Sequence, residues 1–164
     1  MKKLLLLAAV ALAMLAVPQK TIAAVPPWTT ACSAGATIQR IDLGVYSVVD
    51  NYLTLAAGMT GDVVARYNVI NTTTVRRPAW SMLELGYLDN NVGSAVTATL
   101  FQFDPCENVL TTICSVTSVD GLTCQNCALP ANSFDFGADV YFVEVTVSRS
   151  AATQDVRAES LRIF

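Results

Sequence analysis

The stretch Val140-Tyr141-Phe142-Val143-Glu144-Val145-Thr146-Val147-Ser148 decides the fold. Tyr141, Val143, Val145 and Val147 fall on one side of an extended chain, and Phe142, Glu144, Thr146 and Ser148 on the other. A period of two in β-branched and aromatic residues marks a half-buried strand. The same alternation recurs at Val63–Asn71, Ser81–Leu88 and Val96–Phe103, where Thr97, Thr99, Phe101 and Phe103 oppose Val96, Ala98, Leu100 and Gln102. Weaker strands are expected at Thr37–Leu43, Tyr52–Ala56, Leu110–Val116 and Ser160–Phe164. Between them lie Gly58-Met59-Thr60-Gly61-Asp62, Asp89-Asn90-Asn91-Val92-Gly93, Asp104-Pro105, Asp120-Gly121 and Phe136-Gly137-Ala138-Asp139. Such segments turn the chain because Gly, Asn and Asp tolerate left-handed backbone or bond their own turn. No window after residue 24 carries a helical period. About eight short strands imply an all-β, antiparallel β-sandwich or barrel.

The chain has 164 residues, a net charge of −3 and no histidine. That length suits one ordinary domain. Without histidine there is no Ser-His-Asp or Cys-His nucleophile system and no imidazole switch near neutral pH. The acidic balance gives nucleic acid no electrostatic footprint. At the start, Met1-Lys2-Lys3 precedes fourteen uncharged residues, Leu4–Val17, and Thr21-Ile22-Ala23-Ala24 ends in small side chains. This is the layout of a secretory signal peptide. As a helix the apolar run spans ~21 Å, short of a ~30 Å hydrocarbon core. Residues 1–24 are therefore expected to be removed and the protein to be secreted, whether periplasmic, cell-surface or extracellular. All three lysines go with them, leaving seven arginines against thirteen acids, a net charge of −6. Residues 25–36 are read as an irregular N-terminal arm and 37–164 as the sandwich domain, with no membrane-spanning helix in the mature chain.

An eight-stranded outer-membrane barrel is the competing all-β reading. Counting back from Phe164, its lipid-facing positions would be Arg162, Ser160 and Ala158. An arginine facing lipid near the bilayer midplane costs ~2–4 kcal/mol, which disfavours it. Cys106, Cys114, Cys124 and Cys127 crowd together while Cys32 stands alone. In an exported chain such a cluster reads first as disulfides. A zinc ribbon needs two Cys-x-x-Cys pairs, and only Cys124-Gln125-Asn126-Cys127 qualifies. A thioredoxin-like dithiol needs a strand-to-helix turn that the pattern lacks. With Cys32 unpaired three connectivities remain, of which Cys106 with Cys124 and Cys114 with Cys127 is favoured. Cys32 is left as a buried thiol, a link to a second copy, or a lipid attachment site lacking the usual leucine.

Among the acids, Glu84 and Glu144 are the best pair for glycoside hydrolysis, because both sit in mid-strand. Each also occupies the polar side of an alternating strand, where a solvated carboxylate is ordinary, so no catalytic residue is assigned. The Asp89-Asn90-Asn91 turn with Asp104 or Glu107 offers oxygen ligands for calcium; turn formation explains the same residues without metal, and no cofactor is assigned. The aromatic residues Trp28, Trp80, Tyr46, Tyr52 and Tyr87 carry the remaining candidate site, a stacking surface for a sugar ring. Trp80 follows Arg76-Arg77-Pro78 in a loop, so Trp80, Trp28, Tyr87 and Arg77 are the expected ligand-binding residues. Alternatively Trp80 closes the end of the core.

The order of strands, with Tyr141–Val147, a polar turn and a closing Leu161-Arg162-Ile163-Phe164, resembles carbohydrate-binding modules of the jelly-roll, galactose-binding-like type over residues 37–164. The resemblance implies a jelly-roll-like sandwich and a glycan ligand; no ligand-binding position of that group maps onto this chain. The expected function is a non-catalytic interaction module at the cell surface or outside the cell, with a glycan or protein partner. The alternative is a structural subunit of an extracellular filament or coat, self-associating through the N-terminal arm or Cys32.

Overall fold

The computed structural model describes residues 25–34, 37–38, 46–49 and 51–164; the signal-peptide region lies outside them. Eleven strands run through these residues: β1 (Trp28–Ala31), β2 (Thr37–Ile38), β3 (Tyr46–Val49), β4 (Tyr52–Leu55), β5 (Gly61–Val69), β6 (Met82–Asp89), β7 (Ser94–Asp104), β8 (Val109–Thr117), β9 (Cys124–Ala128), β10 (Val140–Arg149) and β11 (Val156–Ile163). One sheet has the order β3-β4-β11-β6-β9, with β1 also paired to β11. The other has the order β2-β5-β10-β7-β8. All pairings are antiparallel. No helix among the described residues is long and apolar enough to cross a membrane.

The residues chosen by alternation build the interface between the sheets. Val63, Ala65, Tyr67 and Val69 from β5, Val96, Ala98 and Leu100 from β7, and Tyr141, Val143, Val145 and Val147 from β10 are buried. They meet Leu83, Leu85 and Tyr87 from β6 and Val156, Ala158, Leu161 and Ile163 from β11. Successive residues of a strand point to opposite sides, so burying these apolar sets leaves their polar neighbours outward. That is a sandwich with its apolar layer inside. Ala158 is fully buried in it.

Three elements depart from the sequence reading, one of them β3, a further strand that pairs with β4. Trp28–Ala31, expected to be irregular, forms β1 by pairing with Ile163–Ser160. Burial of Trp28 anchors it there. Cys124–Ala128 carries no strand-forming signal, yet forms β9 along the exposed side of β6. Both β1 and β9 are imposed by tertiary pairing, which overrides weak local preference.

Candidate functional site

β1 belongs to one sheet and the C-terminal half of β5 to the other, and a groove of about 280 Å³ opens at the seam between them. Trp28 and Tyr67 line its inner side; Thr29, Thr30, Ala34, Asn68 and Ile70 form the rest of its lining. Alternation along β5 sets this arrangement. Tyr67 faces inward with Ala65 and Val69, and Asn68, one residue on, is exposed. Thr29 is likewise exposed beside buried Trp28. The Tyr67 hydroxyl donates to the Cys32 carbonyl at 2.5 Å, and burial raises its pKa above the usual phenol range. Tyr67 therefore stays neutral at physiological pH, and its hydroxyl is committed to the protein. No lining side chain carries a charge. The groove thus presents aliphatic surface from Ala34 and Ile70 next to the Thr29 hydroxyl and the Asn68 carboxamide, over the buried Trp28 and Tyr67, a mixture suited to a small uncharged polar ligand.

Of the four expected ligand-binding residues, only Trp28 reaches this groove. Trp80 lies in the core, its indole N–H donating to the Pro26 carbonyl at 2.9 Å. It packs edge-on against Phe134 and Phe136, which stack near Tyr141. It closes one end of the sandwich and offers no face to solvent. Tyr87 is fully buried toward the opposite end, its hydroxyl accepting from the Val119 amide at 2.9 Å. Arg77 is exposed, but its guanidinium is committed to Asp135 at 2.7 Å beside that of Arg76. The four residues do not form one surface. The stacking platform is corrected accordingly: Trp80 and Tyr87 are core residues.

The other candidates separate in space. Glu84 lies on the outer side of β6, paired across to Arg162, whereas Glu144 lies on the outer side of β10 and accepts from Arg66 at 2.8 Å. They occupy opposite faces of the sandwich and share no cleft. Asp89 is buried, one oxygen accepting from Ser94 at 2.6 Å and the other from Ser118 at 2.5 Å. Asp104 caps the next turn by accepting from the Cys106 and Glu107 amides. All of β7, roughly 30 Å of extended chain, separates the two, so they cannot share one calcium ion. Among the described residues no group of three acids or cysteines is arranged to hold a metal.

Cys114 and Cys127 form the disulfide expected of them, joining β8 to β9 and so one sheet to the other. Cys106 and Cys124 are exposed thiols. Their expected pairing fails for a topological reason. The chain reverses between β8 and β9, so residues preceding Cys114 and residues preceding Cys127 run away from the bridge in opposite directions. Cys32 is fully buried, and burial pushes its thiol pKa up to about 12. In this structure it is a free, buried thiol.

A further aromatic group occupies the outer face of the five-stranded sheet. Phe101 and Phe142 stack with centroids 5.2 Å apart, and the Arg66 guanidinium covers Phe142 from the β5 side at 5.1 Å. Both faces of Phe142 are therefore occupied, leaving neither for a sugar. Apart from Trp28, the residues that line the groove are not among the expected ligand-binding residues. Tyr67 and Asn68 were legible as the two sides of a strand, but only the docking of β1 turns them into a site.

No protein-family model matches the chain, and no curated protein does. Solved structures do. The chain is similar to a low-affinity xylan-binding module from Roseburia intestinalis (10% identity, TM-score 0.45, covering 85% of this chain and 95% of that one). It is also similar to a carbohydrate-binding module in complex with calcium and xylotriose (12%, 0.47, 84% and 99%). A third is a family two carbohydrate esterase from Cellvibrio japonicus (20%, 0.44, 84% and 33%). Carbohydrate-binding modules, the group the strand pattern resembles, are thus among the structures this chain is similar to. The likeness is one of fold.

Proposed function

We propose that this protein is an exported, non-catalytic β-sandwich module that binds a neutral glycan in the groove between β1 and β5. The observation that carries the reading is the lining of that groove. Aliphatic surface from Ala34 and Ile70 lies beside an exposed hydroxyl and an exposed carboxamide, and every lining residue is uncharged. Sugars present apolar C–H faces and rings of hydroxyls, and a site for them needs both kinds of surface at once. An acidic saccharide would meet no cation there. The separation of Glu84 from Glu144 supports binding over hydrolysis, which requires two carboxyl groups ~5–10 Å apart.

The test is a glycan array probed with residues 25–164, followed by calorimetry on any captured ligand with wild type, Asn68→Ala and Thr29→Val. Both positions are exposed, so the variants should fold normally. Each is expected to weaken binding by roughly fivefold to tenfold, the worth of one net hydrogen bond. A folded protein that captures no glycan overturns the reading, as does unchanged affinity in both variants.

A further inference from the structure

We infer that β8 is a pairing edge for a second copy of this chain, joining two five-stranded sheets across a two-fold axis at Leu110. Among the described residues β8 ends its sheet, with β7 as its only partner in it. Its last residues are held against β9 by the Cys114–Cys127 bridge, and its first four, Val109 to Thr112, are exposed. Edge strands are ordinarily blunted by charge or proline. Here no charged residue or proline occurs from Asn108 through Thr117. The bulge in the β7–β8 register lies beyond Thr112 and leaves this half regular.

A second observation points to the same edge. On the outer face of the sheet Val140 is opposite Phe103, and Phe103 is opposite Leu110. Val140 is 50% exposed and Leu110 53%. The row is apolar on a face where solvent-facing strands normally carry polar residues, and it runs without interruption to the open edge.

What could continue both the hydrogen-bond ladder and the row? A two-fold axis normal to the sheet keeps outward residues outward, so the axis must pass through a residue position rather than between two. At Leu110 it sets each leucine against its counterpart and pairs Val109 with Thr111. Two apolar rows of three then become one row of six. No like charges meet, because the paired segment has none, and a self-complementary patch is what a two-fold interface requires. An unrelated strand would need an apolar side chain at the same register, whereas the second copy supplies it necessarily. The contact is small, so the dimer is a reversible one.

The experiment is sedimentation velocity across a concentration series with wild type and Leu110→Lys, together with disulfide trapping of Leu110→Cys and Ser115→Cys in a chain carrying Cys106→Ser and Cys124→Ser. Wild type is expected to shift toward dimer with concentration. Leu110→Lys, which places two ammonium groups opposite each other, should remain monomeric with an unchanged melting curve, since Leu110 is outside the core. Leu110→Cys should cross-link on mild oxidation and Ser115→Cys, exposed on the same strand, should not. A wild type that stays monomeric throughout overturns the inference. So do a dimer that survives Leu110→Lys and equal cross-linking at positions 110 and 115.

Discussion

Asp135 shows how single residues are placed here. Its carboxylate accepts from both Arg76 and Arg77, and the Gly137 amide donates to it at 3.0 Å. The arginines, Arg76 first, hold its pKa well below the usual carboxylate range. A pKa lowered on folding contributes stability that is complete above the unfolded value, about 4, and is lost as pH falls toward the folded value. Urea midpoints of wild type should therefore fall more steeply below pH 4 than those of Asp135→Asn. Superimposable acid limbs would show that the carboxylate is not linked to folding. The arginines are largely exposed, so solvent screens the effect.

Arg149 is the opposite case, a buried cation whose acceptors are carbonyls. Its guanidinium donates to Ala56, to Met59 at 2.6 Å and to Gln154 at 3.2 Å. It ties the turn after β4 to the turn before β11. Replacing it with methionine keeps the apolar stem but strands those carbonyls, and should cost about 3 kcal/mol in equilibrium denaturation. A loss below about 0.5 kcal/mol would mean water takes over the guanidinium's hydrogen bonds.

At the scale of elements, the Cys114–Cys127 bridge joins two sheet edges that share no backbone ladder. It closes a loop of sequence separation 13, and such a cross-link stabilises by about 3 kcal/mol in the chain-entropy account. The double substitution Cys114→Ser/Cys127→Ser should lower stability by that amount, measured by urea denaturation against wild type. An unchanged midpoint would mean that the contact between β8 and β9 holds the edges without the bond. The long strands β5, β6, β7 and β10 were legible from alternation because each buries a run of alternate residues. β1 and β9 were not, since their pairing depends on strands distant in sequence. Of the groove, Trp28 was legible as an aromatic near the start and Asn68 as a polar strand position. Their juxtaposition was not, because it arises only where β1 and β5 meet across the seam. The aromatic platform failed for a simple reason: sequence does not distinguish a ring that faces a ligand from a ring that fills a core, and Trp80 and Tyr87 fill the core.

At the scale of the whole molecule, the groove and the open edge lie on opposite sides of the five-stranded sheet, one beside β5 and the other along β8. A dimer through β8 would carry its two grooves outward, and on a polymeric ligand two weak sites act with an effective concentration that neither has alone. The proposed export has its own test in the cysteines. One bridge and three thiols predict a specific labelling pattern. Native protein should react with an alkylating reagent at Cys106 and Cys124 only, because Cys32 is buried and its thiol is held protonated. Unfolding without reduction should add Cys32, and unfolding with reduction should add Cys114 and Cys127. Applied to protein expressed as residues 1–164 and recovered from the whole culture, intact mass should show residues 1–24 removed and two labels in the native state. Five reactive thiols after unfolding without reduction, on a chain still carrying those residues, would place the protein in a reducing compartment and remove the basis for an exported glycan-binding module.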